Sequence, residues 1–209
     1  MRRIPLRRAP AVLATGLLLA GAAATLSARV FLTQEEALRL AFPGAAVAHR
    51  SAFLTPAQQK EAQRLSGDTD SPAALVNFYV ATSKEGHAVG TAYFDTHVVR
   101  TMPETIMVVV DPAGAIARIE VLSFLEPEEY LPRPRWYEQF AGKALDDELS
   151  TKRAIHPVTG ATLTVRATTD AARRVLALHR VLQASPASPA PSPTPAAAAT
   201  NAATKSPLR

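Results

Sequence analysis

Hydrophobic residues occupy every second position in several short stretches in the middle of the chain, a pattern typical of β-strands. In the first stretch Val76, Phe78 and Val80 alternate with other residues, which predicts one buried face. The turn-forming sequences Lys-Glu-Gly and Asp-Pro-Ala-Gly separate the stretches in pairs. Strands joined by short turns form antiparallel hairpins. We therefore predict an antiparallel sheet of two hairpins, with strands at residues 74–82, 87–95, 105–111 and 115–124.

Two short helices are predicted ahead of these strands, at residues 33–42 and 55–66. The first opens with Thr33 and Glu36 at the spacing of a capping box. The second opens with Thr55 as its N-cap residue, followed by a proline at the first helical position. Both segments therefore carry a helix-start signal that is independent of hydrophobic periodicity.

A longer helix is predicted from about residue 165 to residue 182. Ala171, Val175, Leu178 and Leu182 recur at helical spacing and give this helix one apolar face. A helix with one apolar face is stable when that face packs on another element, here the sheet. The whole pattern predicts an α+β domain in which helices pack on the antiparallel sheet.

The two ends of the chain differ in composition from this domain. Residues 1–28 carry four arginines and then an uncharged apolar run, which is the layout of a signal peptide, and an N-terminal membrane anchor fits the same length. Both interpretations predict that the remainder is extracytoplasmic, in the periplasm or on the outer face of the cytoplasmic membrane. Residues 184–209 are rich in Pro, Ala and Ser and are predicted to be a disordered tail. The folded domain is expected at residues 29–183.

Charge and cysteine content exclude several classes of function. The chain has a net charge of +5, but residues 29–183 hold 17 basic and 18 acidic side chains, a net of −1. The basic residues in excess lie in the two ends, so no nucleic-acid partner is predicted. The chain has no cysteine, which excludes disulfides and thiolate-held iron–sulfur clusters. A redox role would need another cofactor.

One turn carries candidate chemistry. Thr159, Gly160, Ala161 and Thr162 lie just before the long helix, and Thr164 follows as its candidate N-cap residue. An ordinary helix-starting turn can have this sequence. However, a helix N-terminus binds phosphate through unpaired N–H groups and the positive end of its dipole. The small residues of the turn permit close approach, and the two flanking threonine hydroxyls can donate to phosphate oxygens.

This turn resembles the flavinylation motif of the FMN-binding domain family, which includes the C subunit of the sodium-pumping NADH:quinone reductase and the G subunit of the Rnf complex. Members carry an Asp-x-x-Ser/Thr-Gly-Ala-Thr sequence, and a flavin transferase that uses FAD and Mg²⁺ esterifies its last threonine to the phosphate of FMN. The resemblance implies covalent FMN on Thr162. His156 stands where the motif has Asp. The resemblance then implies either that imidazole replaces carboxylate as a base, or that flavinylation is slow or absent.

The resemblance covers about residues 76–182 and implies one further site residue, Glu126. Glu126 takes the place of a glutamate in the loop that follows the last strand in family members. Arg100 lies between the hairpins and is a candidate for the lining of a cofactor pocket. The aromatic residues Trp136, Tyr137 and Phe140 of the loop before the turn either cover a flavin ring or anchor the loop in the core.

Three hypotheses for function follow from the sequence and the resemblance. The first is an electron carrier with covalent FMN that relays electrons between quinone-linked or cytochrome partners and another redox protein. Such a carrier is an electron-transfer flavoprotein rather than a substrate-converting enzyme. The second is a flavin-free binding or scaffolding module of the same fold, which the histidine in the motif favours. The third is a flavin reductase that acts on an extracellular acceptor.

Overall fold

The computed structural model describes residues 29–184. The proposed leader or anchor and the proposed tail lie outside the described residues, apart from Ala184, which ends the last helix. The strands are β1 Arg29–Val30, β2 Ala46–Phe53, β3 Leu75–Thr82, β4 Ala88–Val98, β5 Pro103–Val110 and β6 Ile116–Phe124. The α-helices are α1 Gln34–Ala41, α2 Pro56–Ser66, α3 Pro134–Tyr137 and α4 Thr162–Ala184, and 3₁₀ turns lie at Glu128–Tyr130 and Glu138–Phe140.

The strands form one six-stranded antiparallel sheet in the order β1-β6-β5-β4-β3-β2. The predicted α+β fold is confirmed, and both predicted hairpins, β3–β4 and β5–β6, are present. Pairing of β4 with β5 joins the two hairpins into a single sheet. Strand β2 was not predicted; it is an edge strand that pairs with β3 over its whole length. Most of its side chains are exposed or half-buried, so it lacks the alternation that identified the other strands.

Both predicted N-terminal helix starts are confirmed. The Thr33 hydroxyl accepts a hydrogen bond from the backbone N–H of Glu36, and the Thr55 hydroxyl accepts one from Gln58. In each case the side chain of the third helical residue reaches back to the N-cap N–H, which completes a capping box. Among residues 29–184, no helix is both long enough and apolar enough to cross a membrane.

The sheet is covered on both faces, and β5 shows this most clearly. Ile106, Val108 and Val110 point to the face that α2 and α4 cover, while Met107 and Val109 point to the face that α1 covers. All five side chains are at most 3% exposed. Burial of each such side chain contributes about 1.5–3 kcal/mol to folding. The first of these two faces carries the longest helix, α4, and therefore determines where the turn before that helix lies.

The aromatic loop after β6 is anchored in the core. Tyr137 and Phe140 are 6% and 0% exposed and pack in the same cluster as α4. Trp136 contacts both rings edge-on, with centroids 4.9 and 5.2 Å away. These contacts favour the anchoring interpretation of the loop aromatics, and they hold the segment that leads into α4 against the sheet.

Candidate functional site

The turn before α4 is built around Gly160. Its φ is +88°, a left-handed conformation that glycine adopts without steric cost. The Ala161 N–H donates to the Val158 carbonyl at 3.1 Å, and the Val165 N–H donates to the Ala161 carbonyl at 2.9 Å. Helix α4 therefore begins at Thr162, three residues earlier than predicted. The prediction that Thr164 caps this helix is wrong, because Thr164 lies inside its first turn.

Thr162 is the first residue of α4, and its side chain is exposed. The first N–H groups of an α-helix have no acceptor within the helix, and the helix dipole places partial positive charge there. The Thr162 hydroxyl thus lies beside a group of unpaired donors that can bind an anion. This geometry fits a phosphate ester on Thr162.

A small open cleft of about 200 Å³ lies at this helix terminus. It brings together five of the residues predicted from the sequence, together with two that were not predicted, Tyr130 and Leu163. Its lining consists of Arg100, Tyr130, Gly160, Ala161, Thr162, Leu163 and Thr164. Leu163 is 48% exposed, so the cleft has an apolar edge as well as a cationic one.

Arg100 provides the positive charge of the cleft. It lies in the turn between β4 and β5, and its guanidinium carbon is 4.9 Å from the centre of the Tyr130 ring. Contacts of this kind hold a guanidinium over the face of an aromatic ring without neutralising it. Arg100 forms no ion pair with any described residue, so its charge is available to an anion in the cleft.

Glu126 holds the turn that carries Arg100 and does not itself line the cleft. Its Oε1 accepts hydrogen bonds from the backbone N–H groups of Arg100, Thr101 and Met102 at 3.2, 2.7 and 2.8 Å. The Thr101 hydroxyl also donates to this oxygen, at 3.2 Å. These bonds lower the pKa of Glu126, and the bond from the Thr101 backbone has the largest effect. The carboxylate is therefore ionised at neutral pH. Glu126 therefore positions Arg100 through the backbone.

Thr164 ties the helix to the other wall of the cleft. It is fully buried, and its hydroxyl donates to the Tyr130 carbonyl oxygen at 2.6 Å. Since this hydroxyl has a single proton, that proton is not available to a phosphate oxygen in this arrangement. The structure thus gives Thr164 a role in fixing Tyr130, and Arg100 above it, relative to Thr162.

His156 and Thr159 lie on the exposed approach to the turn, outside the lining of the cleft. The His156 backbone is held at both ends: its N–H donates to Gln139 Oε1 at 2.7 Å, and its carbonyl accepts from Trp136 Nε1 at 2.7 Å. The His156 imidazole makes no hydrogen bond to a described residue, so it is free to face solvent or an approaching protein. The role of Gln139 was not predicted from the sequence.

A buried polar network lies beneath the first two turns of α4. Glu104, on β5, is fully buried and accepts hydrogen bonds from Thr168 of α4 at 3.1 Å and from Tyr137 of the aromatic loop at 3.3 Å. His97 of β4 bridges this carboxylate to Asp95, with Nε2 3.0 Å from Glu104 and Nδ1 2.9 Å from Asp95. The network therefore links α4, two strands and the loop.

Two acidic side chains, Asp95 and Glu104, flank His97. Burial lowers the pKa of its imidazole, but the hydrogen bonds and charges of Asp95 and Glu104 outweigh burial and raise it to about 9. His97 is therefore cationic at neutral pH. Arg174 of α4 extends the network, with Nη2 3.0 Å from Asp95 and Nη1 3.0 Å from Asp68. This network was not predicted, because its members are spread from residue 68 to residue 174 and share no motif.

Comparison with known proteins bears on the same part of the chain. Residues 102–177 match the family model described as the FMN-binding domain. The match contains the turn, the first four turns of α4, Glu126 and the aromatic loop. No curated protein and no solved structure gives a significant match to the chain. The resemblance identified in the sequence is confirmed by this match.

Proposed function

We propose that this protein is an exported electron carrier whose FMN is esterified through its phosphate to Thr162. The match of residues 102–177 to the family model of the FMN-binding domain supports the choice of cofactor. The observation that carries the proposal is the position of Thr162. It is an exposed hydroxyl at the first residue of a long helix, in a cleft whose one cation has no carboxylate partner among the described residues. A phosphate at that point interacts with the helix N-terminus and with Arg100 together.

The maturation step is a phosphoryl-group transfer. It forms one bond between Thr162 Oγ1 and the phosphorus of FMN and breaks the pyrophosphate bond of FAD, with AMP as the leaving group. The hydroxyl proton passes to a base or to solvent, and no atom is oxidised or reduced. The exposure of Thr162 supports this proposal, since a flavin transferase must reach the hydroxyl from outside. The His156 imidazole, on the same exposed approach, is the candidate for the base that replaces the motif carboxylate.

Attachment through the phosphate leaves the isoalloxazine ring intact, and this ring supplies one- and two-electron chemistry when FMN is bound. The chain's part is to hold the phosphate at Thr162 and to keep the cofactor from diffusing away outside the cytoplasm. The exposed Leu163 offers an apolar edge on which a flavin can rest. We propose quinone-linked or cytochrome proteins as electron partners, and membrane association through the N-terminus.

One observation favours a flavin-free binding module of the same fold. His156 replaces the carboxylate of the motif, and the residues that line the cleft include no carboxylate. If the transferase requires that carboxylate, Thr162 stays unmodified. The His156→Asp variant decides between the two functions, because it restores the motif without touching Thr162.

The test is flavin fluorescence in a denaturing gel after co-expression with a flavin transferase. The wild-type chain is expected to fluoresce, Thr162→Ala to be dark, and the matched control Thr159→Ala to fluoresce. Fluorescence of Thr162→Ala at the wild-type level would contradict the attachment site. A dark wild-type chain beside a fluorescent His156→Asp variant would establish the flavin-free module.

A further inference from the structure

A second and larger cleft lies at the opposite end of α4. It has a volume of about 750 Å³ and is bordered by the sheet, the β5–β6 turn and the C-terminal turns of the helix. Its walls are largely apolar and include Phe78, Val80, Leu145, Leu176 and Leu182. This volume is in the range of pockets that hold small organic molecules. His179, which lines this cleft, lies about 25 Å from Thr162 along the helix axis. The cleft is therefore not part of the site described above.

A polar pair lies in the interior of this cleft. Tyr93 and His179 are 3% and 7% exposed, both line the cleft, and the Tyr93 hydroxyl is 3.0 Å from His179 Nδ1. Burial raises the pKa of Tyr93, so the phenol keeps its proton and can donate it to Nδ1. Burial also lowers the pKa of His179, so the imidazole is neutral. When the Tyr93 phenol is the donor to Nδ1, the single imidazole proton lies on Nε2.

The Nε2–H group of His179 has no acceptor. No described residue forms a hydrogen bond with it, and the atom is not sealed inside the protein. A donor that is mostly buried and unpaired costs free energy unless a ligand or water supplies an acceptor. The interior of the cleft therefore selects for a molecule with an oxygen acceptor at one end.

The mouth of the cleft carries more positive than negative charge. Arg50 of β2 and Arg180 of α4 both line it, and Arg180 uses one donor on the Leu145 carbonyl at 3.2 Å. The opposing group is Asp111, whose Oδ1 already accepts two backbone N–H groups of the β5–β6 turn, at 2.9 Å each. Two guanidinium groups against one engaged carboxylate favour an anion.

We propose that this cleft binds a small carboxylic acid with an apolar body. The apolar body packs on Phe78 and Leu176, one carboxylate oxygen accepts the Nε2–H of His179, and Arg50 and Arg180 balance the charge. This binding function does not depend on a flavin at Thr162, and it gives the protein a ligand-sensing or ligand-carrying site at the end of α4 remote from the proposed cofactor.

The probe is 2-naphthoate, titrated into the full-length protein and followed by calorimetry and by NMR shifts of cleft residues. 2-Methylnaphthalene is the control ligand without a carboxylate. We expect saturable binding of 2-naphthoate with shifts at Tyr93 and His179, and at least about tenfold weaker binding of the control. No saturation by 2-naphthoate at millimolar concentration, or equal binding of the two ligands, would overturn the proposal.

Variants separate the binding contacts from the fold. His179→Phe keeps a ring of similar size and removes the donor, so 2-naphthoate should bind about tenfold more weakly. His179→Gln keeps a donor and should recover most of the affinity. Arg50→Gln, at an exposed position, should weaken binding without change in thermal stability. Wild-type affinity in both His179→Phe and Arg50→Gln would overturn the proposal, while flavin attachment at Thr162 would be untouched by either result.

Discussion

The exposure of Thr162 depends on the two residues before it. Gly160 reverses the chain in a left-handed conformation, and Ala161, 3% exposed, fills the space beneath the turn. The helix can then begin with its first side chain pointing outward and its first N–H groups unpaired. The conformation of Thr162 and the unpaired N–H groups beside it are therefore set locally, by residues that are adjacent in sequence.

A single carboxylate holds the cationic wall of the cleft, and this gives a prediction at residue scale. Glu126→Ala leaves three backbone N–H groups of the β4–β5 turn without their acceptor. We expect the free energy of unfolding to fall by about 2–3 kcal/mol, since hydrogen bonds to a charged group contribute that much and the donors stay partly buried. Urea denaturation measures this loss.

The matched control is Glu129→Ala, because Glu129 is an exposed carboxylate three residues away with no hydrogen bond to a described residue. Its stability should stay within about 0.5 kcal/mol of wild type. Glu126→Ala should also accept flavin more slowly, because Arg100 loses its fixed position. Equal stability of the two variants would show that the turn does not depend on Glu126.

At the scale of elements, the turn before α4 can be compared with the β5–β6 turn, because each contains a glycine in a left-handed conformation. Gly160 and Gly114, the latter in the β5–β6 turn, have φ values of +88° and +84°. An alanine at either position is strained by about 1–2 kcal/mol. We expect Gly160→Ala and Gly114→Ala to lose similar stability, measured by thermal unfolding.

The two variants should differ in flavin content. Only Gly160→Ala displaces the start of α4, so it should carry much less covalent flavin, whereas Gly114→Ala should be flavinylated like wild type. Absorbance of the purified proteins at flavin wavelengths gives the ratio. Full flavin content in Gly160→Ala would contradict the link between turn geometry and attachment.

The network that joins α4 to β4 and β5 predicts a pH dependence of stability. The pKa of His97 is raised from 6.5 to about 9 in the folded protein. A pKa raised on folding stabilises the fold fully when the pH is below the pKa of the unfolded chain. This contribution is lost as the pH rises through the folded-state pKa of about 9. The shift corresponds to about 3 kcal/mol. Urea denaturation at pH 6 and pH 10 should show a loss of that order.

Substitution of His97 separates this effect from other titrations. In His97→Gln the difference in unfolding free energy between pH 6 and pH 10 should be smaller by most of that amount, because no imidazolium remains between Asp95 and Glu104. His87→Gln is the control, since His87 is exposed and makes only backbone contacts. If His97→Gln lost as much unfolding free energy between pH 6 and pH 10 as wild type, His97 would not be cationic in the folded protein.

For the whole molecule, local signals predicted the fold better than long-range ones. Capping boxes, hairpin turns and the apolar face of α4 depend on neighbours in sequence, and each is present in the structure. Strand β2 escaped prediction because it is a largely exposed edge strand.

In the candidate site, too, residues with local sequence signals were predicted and residues that act through long-range contacts were not. The residues of the turn were found because they form one motif, and Arg100 and Glu126 were named from their places along the chain. Tyr130, Gln139 and the network around Glu104 were not found. Their roles arise only when loop, strands and helix meet in space. The whole molecule thus has a locally encoded candidate attachment point on a support that tertiary packing creates.

The central claim is that FMN is esterified to Oγ1 of Thr162, and a peptide map tests this claim most directly. Trypsin cleaves after Arg153 and Arg166, which releases residues 154–166 with Thr159, Thr162 and Thr164 together. Fragmentation of this peptide, from protein matured with a flavin transferase, is expected to place one FMN minus water on Thr162 alone. The same mass on Thr159 or Thr164, or an unmodified peptide while the transferase modifies a known acceptor, would contradict the account.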